Sequence, residues 1–180
     1  MSLFAAFLRG MNVGGHRLTN VELRAHFAAM GFREVATFRA SGNVVFAADA
    51  RPADAVRARI EQGLADALGY AVPTFIRSAD ELRAIAGHRP FPAPALRASK
   101  GKLQVVLLSS APAAKARREV LALAGEEDRL ALRGRELFWL PSGGILESPL
   151  DMKSIERLLG PMTMRTKHTI EQIAERHLAG

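Results

Sequence analysis

Two short stretches gather the residues best suited to hold an anion. Arg9-Gly10-Met11-Asn12-Val13-Gly14-Gly15-His16-Arg17 follows an apolar run, and Arg39-Ala40-Ser41-Gly42-Asn43 sits between two β-forming runs. A glycine backbone can bring its N–H groups close to a ligand because no Cβ intervenes, and a guanidinium adds charge and a planar fork of donors. The candidate ligand-binding residues are therefore Arg9, Asn12, Gly14, Gly15, Ser41, Gly42 and Asn43, with a phosphate-bearing group as the ligand class. The glycine spacing fits neither the phosphate loop nor the dinucleotide fingerprint, so it specifies no nucleotide. The competing reading is that Gly14 and Gly15 only permit positive φ, and that Asn12 and Asn43 only turn the chain.

A second cluster, Thr163-Met164-Arg165-Thr166-Lys167-His168-Thr169-Ile170, collects hydroxyls, cations and an imidazole around a helix start. That combination suits an anion and adds Arg165 and Thr169 to the candidates; the alternative is a helix cap with a solvated basic turn. Other chemistry is poorly served. Cysteine is absent, so thiolate metal sites, disulfides and cysteine nucleophiles are excluded. The histidines at 16, 26, 88, 168 and 177 lack metal-ligand spacing, and no nucleophile elbow occurs. Glu126-Glu127-Asp128 reads as a solvated turn and Trp139 as core. No cofactor or metal is expected. An enzyme reading stays open, with Arg9 and Arg165 binding charge and His16 or His168 moving protons.

The elements that must carry these clusters are well signalled. Residues 3–9 read as a strand. Thr19 and Glu22 form a capping box for a helix that buries Leu23, Phe27 and Met30 and ends at Gly31. Val35–Arg39 and Val44–Ala47 are strands joined by Ser41-Gly42-Asn43. Pro52 opens a helix with Val56, Ile60, Leu64 and Leu68 on one face, closed by Gly69. Val72–Arg77 is a fourth strand, with Pro73 suited to an edge. The β-α-β-β-α-β order then recurs: strand Leu103–Leu108, helix Pro112–Ala124 ended by Gly125, strands Arg129–Leu132 and Leu137–Leu140, and a helix capped from Ser148 with Ile155, Leu158 and Leu159 inside. A strand at Met162–Arg165 and a final helix to Leu178 complete it. Ser78 and Glu81 cap a further helix. The run Arg89-Pro90-Phe91-Pro92-Ala93-Pro94 reads as a linker, since three close prolines disfavour regular structure.

The expected fold is α+β: two tandem ferredoxin-like (βαββαβ) halves with antiparallel sheets, plus a C-terminal helix. Their bounds are 1–88 and 102–180, with a linker at 89–101. In such a half the loop after strand 1 and the hairpin between strands 2 and 3 meet at one sheet edge. Leu3–Leu8 and Val105–Leu108 do not alternate apolar and polar residues, so both faces are expected to be buried. Either the two sheets cover one another or a second subunit does, which keeps a homodimer or a purely structural module open.

The net charge of +7 invites nucleic acid as a partner. Arginine supplies 20 of the 25 basic residues, and the charge is spread evenly, at 11 basic and 8 acidic residues in 1–90 against 14 and 10 in 91–180. A genome rich in G and C gives that bias without selection for a ligand. The apolar run from Leu3 is too short for a membrane span and lacks signal-peptide order, so a cytoplasmic protein with no membrane partner is expected.

Leu8–Gly15, Thr37–Phe46 and Thr163-x-Arg165 followed by Thr169 resemble the bacterial domain of unknown function 1697 family, and the resemblance runs over nearly the whole chain. It implies a paired ferredoxin-like architecture and a small bacterial protein, and it brings no activity. After Arg165 the family has an Asn-aromatic pair where this chain has Thr166-Lys167, and Pro149 stands where it has a lysine. Sequence alone therefore favours binding of a phosphate-bearing small ligand or nucleic acid at the first sheet edge.

Overall fold

A computed structural model describes residues 1–11, 15, 17–39, 42–49 and 51–178. The chain divides into two compact units, Met1–Ala84 with the stretch from Ile173 onward, and Ile85–Gln172. Each is built on a four-stranded antiparallel sheet, and seven helices occur among the described residues. None of those helices is long and apolar enough to cross a membrane.

In the first unit β1 (Ser2–Leu8), α1 (Asn20–Ala29), β2 (Arg33–Thr37), β3 (Asn43–Ala48), α2 (Ala53–Leu68) and β4 (Thr74–Ser78) give the sheet order β2-β3-β1-β4. Helix α1 starts as its sequence dictates: Thr19 Oγ1 accepts from the Glu22 N–H at 3.2 Å, and the Glu22 carboxylate accepts from the Thr19 N–H at 2.7 Å. Leu23 and Phe27 are fully buried, and Met30 packs on the same core. The centre of that core is Phe46, whose ring lies 4.7 Å from Phe32, 5.4 Å from Phe27 and 5.9 Å from Phe4. Gly69 ends α2 in the left-handed region, and Pro73 precedes an edge strand as expected. A bulge between Arg33 and Ala36, with Glu34 at φ 52°, bends β2.

The second unit repeats the order as β5 (Gln104–Leu108), α5 (Ala114–Leu121), β6 (Asp128–Arg133), β7 (Glu136–Pro141), α6 (Met152–Leu159) and β8 (Met162–Thr166), with the sheet order β6-β7-β5-β8. Helix α3 (Ala79–Gly87) follows β4, and α7 (Lys167–His177) follows β8. Residues on both faces of β1 from Phe4 to Leu8 and of β5 are buried, as expected from their apolar runs, and β3 is buried throughout as well.

Four expectations need correcting. The Pro-rich stretch holds a short helix, α4 (Ala93–Ala98), because Pro94 falls in its first turn, where a missing N–H breaks no helical bond. Helix α5 ends at Leu121 rather than running to Ala124. Beyond it the bonds tighten to Leu123 N–H to Val120 O and Ala124 N–H to Leu121 O, and the Gly125 N–H turns to Asp128 O. Helix α6 is capped by Asp151, not Ser148: Asp151 Oδ1 accepts from the N–H groups of Lys153 and Ser154. Ser148 Oγ instead donates at 2.7 Å to Asp128, which also accepts from the Trp139 indole at 2.7 Å. Asp128 is thus a buried acceptor and not part of a solvated turn.

The repeat extends to single residues, which the sequence hides. Leu8 N–H bonds Gly42 O and Arg9 N–H bonds Pro73 O; in the second unit Leu108 N–H bonds Arg135 O and Ser109 N–H bonds Pro161 O. Ala5 faces Arg77 across the sheet as Val105 faces Arg165. Each of these arginines donates through Nη1 to the carbonyl of the residue before it, at 2.8 Å. The next residue caps the next helix in both copies, Ser78 for the Glu81 N–H and Thr166 for the Thr169 N–H.

Candidate functional site

The end of β1 and the β2–β3 hairpin meet at one edge of the first sheet. Phe7 pairs with Asn43, and Leu8 N–H reaches Gly42 O at 2.9 Å. Arg9 follows directly and is half-buried, with its N–H on Pro73 O. Gly10, Gly15 and Gly42 all have positive φ. Gly42 is glycine for two reasons: its φ is +73°, and a Cβ would stand 2.8 Å from that of Leu8. Gly15 has only the first reason, since a Cβ there would meet open space. Asn12, Gly14, Ser41 and His16 lie outside the described residues.

Asn43 is buried, and its amide Nδ2 donates to Phe38 O at 3.0 Å while its own carbonyl takes the Phe38 N–H. It closes the hairpin. Between these bonds Arg39 is held at φ 57°, a region that non-glycine residues seldom occupy. Asn20, the first residue of α1, donates to Arg39 O at 3.1 Å, and Arg24 Nη1 donates to Thr37 Oγ1 at 2.8 Å. The helix start and the hairpin are therefore tied together. Tyr70 adds a third tie, its hydroxyl donating to Met11 O at 3.0 Å.

Sequence reasoning passed over the cations around Phe38. The guanidinium groups of Arg39 and Arg176 each lie 5.5 Å from the centre of its ring, and His177 meets it edge-on at 6.2 Å. Arg39 belonged to a recognised motif, but its left-handed backbone is not a composition signal. Arg176 reaches this edge from the far end of the chain, which no local pattern announces.

The start of α1 contributes less to an anion than its position suggests. The Glu22 carboxylate already occupies it, and the hydrogen bonds from Thr19 hold that carboxyl below its usual range. What the edge offers is guanidinium charge on a backbone held open by glycine.

The C-terminal cluster is internally satisfied. Arg165 Nη1 donates to Thr163 Oγ1 at 3.0 Å as well as to Met164 O, and the Thr166 and Thr169 hydroxyls lie 2.9 Å apart. Burial lowers the Arg165 pKa to about 10, which leaves it cationic at neutral pH. Lys167 is buried, with Nζ on Ala86 O and Glu171 Oε1, both at 2.8 Å. His168 is exposed, 4.0 Å from Glu171. Arg165 and Thr169 belong to a different unit from Arg9 and Gly42. Among the described residues no group of histidines and acids is arranged to hold a metal ion, and Trp139 is core.

The structure resembles that of SP0830, a conserved bacterial protein of Streptococcus pneumoniae, with a TM-score of 0.70 over 97% of each chain at 20% identity. At that identity the likeness concerns the fold. No curated protein matches the chain. Residues 1–138, which include the glycine loop and the hairpin, match the model of a family described as protein of unknown function (DUF1697). The chain belongs to that family.

Proposed function

We propose that this protein binds a phosphate-bearing anion, a small ligand or a nucleic-acid backbone, at the edge formed by the β1–α1 loop and the β2–β3 hairpin. We read each half as a ferredoxin-like module, and the internal repeat supplies the carrying observation. Both halves close the same sheet edge with the same pair of backbone bonds. The second half does so through the plain segment Ser109-Ser110-Ala111-Pro112, with Gly134 as the single positive φ among the described residues of that edge. The first half spends Gly10, Gly15, Gly42 and a left-handed Arg39 on it, and adds the charge of Arg9. The fold has no need of that glycine loop, so a ligand is its reason.

The ligand is read by charge. Phe38 is buried beneath two guanidinium groups and offers no free face for a base, so stacking recognition of single strands is disfavoured. Asn43 and Gly42 position the edge, while Arg9 and Arg39 face the anion. The test is a titration of inorganic phosphate and of a short DNA duplex against the wild type, Arg9→Ala and Arg39→Ala. Either substitution weakens binding about tenfold or more, as loss of a charge-assisted hydrogen bond does, while leaving the thermal midpoint within a few degrees. Duplex binding that fades steeply with salt marks the polyanion; a small-ligand site loses little. Unfolding of Arg9→Ala, or unchanged affinity in both variants, rejects the reading.

A further inference from the structure

The first unit has a second basic feature, at the other end of the same strands. Here β1 begins, β3 ends and α2 starts, five residues of register from the Phe7–Asn43 pair, or roughly 17 Å along the strands. A cavity of about 50 Å³ opens there, lined by Arg33, Arg51 and Arg59, with Asp49 as its carboxylate and Phe32 and Val56 among its apolar walls. Three guanidinium groups against one carboxylate leave a surplus of two positive charges in a small space. Among the described residues none of the three arginines forms an ion pair. Arg59 is anchored: it donates to Met30 O, and its guanidinium lies 5.1 Å from the centre of the Phe32 ring. Arg33 and Arg51 are exposed lining residues, Arg33 with its Nη1 3.7 Å from Met1 Sδ.

Like charges in excess of their counter-charge repel, and the repulsion is relieved when an anion enters. The cavity is of a size to take one tetrahedral oxyanion. Guanidinium groups, with their planar forks of donors, suit a phosphate better than a single point charge would. We infer that this cavity is a separate site for a dianionic, terminal phosphate: inorganic phosphate, or the end group of a larger molecule whose body stays outside. It shares no residue with the hairpin edge and does not depend on that reading.

The experiment titrates inorganic phosphate, glycerol 3-phosphate and dimethyl phosphate into the full chain at low salt. Wild type is compared with Arg33→Gln/Arg51→Gln and with a control of equal charge loss, Arg97→Gln/Arg118→Gln. Arg59 is left intact because it also holds the end of α1. The cavity variant loses one phosphate-binding event, or weakens it about tenfold or more, whereas the control stays within about twofold of wild type. The two dianions bind alike, and the monoanionic diester binds about tenfold more weakly. Equal losses in the cavity variant and the control overturn the site. So does unchanged binding in the cavity variant, and diester binding as tight as phosphate overturns the terminal-phosphate assignment. In Arg9→Ala the cavity event persists, so failure at either end of the strands is distinguishable from failure at the other.

Discussion

Gly42 and Gly15 look alike in the sequence and differ in what they cost to replace. At Gly42 an alanine meets both a positive φ and the Leu8 side chain; at Gly15 it meets only the first. Gly42→Ala is expected to lower unfolding free energy by about 1–3 kcal/mol, and Gly15→Ala by about 1 kcal/mol, in denaturant titrations. Equal effects would mean that the hairpin does not pack on β1 as described. His88 gives a pH signature at the same scale. Burial first, then the charges of Arg133 and Lys167, lower its pKa from the ordinary 6.5, and its ring lies 5.0 Å from that of Phe138. Between the folded and unfolded values the unfolded chain binds more protons, so stability is full above pH 6.5 and declines as pH falls below it. Thermal midpoints measured from pH 7.5 to 5 should therefore fall more in the wild type than in His88→Gln. Parallel curves would remove His88 as the source.

The elements were legible wherever a cap or a period stood in the sequence. Thr19 with Glu22, Ser78 with Glu81, and the Val56–Ile60–Leu64 face all behave as their spacing requires. Failures came where two local signals competed. Ser148 looked like a helix cap, but the buried carboxylate of Asp128, twenty residues earlier, claims its hydroxyl and Asp151 takes over. Pro94 looked like a breaker and sits in the one turn that tolerates it. The paired corners after β4 and β8 were invisible because only Pro, Arg and a hydroxyl residue recur, at Pro73, Arg77 and Ser78 against Pro161, Arg165 and Thr166. If those corners are equivalent, Ser78→Ala and Thr166→Ala each cost about 1 kcal/mol through loss of a cap. The readout is the shift in urea midpoint, and a neutral effect at one corner with a loss at the other would break the equivalence. This equivalence also assigns Arg165 and Thr169 a folding role that Arg77 and Glu81 share.

For the molecule as a whole, a duplicated architecture separates what the fold needs from what it does not. Sheet order, edge bonds and strand-to-helix corners occur twice; the glycine loop and the left-handed arginine occur once. The sequence located that loop and hairpin, and their meeting followed from the βαββαβ order. It could not reveal that Glu22 already occupies the helix start or that Arg176 joins the edge, because both depend on tertiary contacts. The most direct check is an amide NMR titration of the full chain with inorganic phosphate at low salt. The account predicts saturable shifts at Arg9, Gly10, Gly15, Arg39 and Gly42 that Arg9→Ala abolishes. Shifts confined to Ser109–Pro112 and Arg133–Glu136, or none at the first edge, would contradict it.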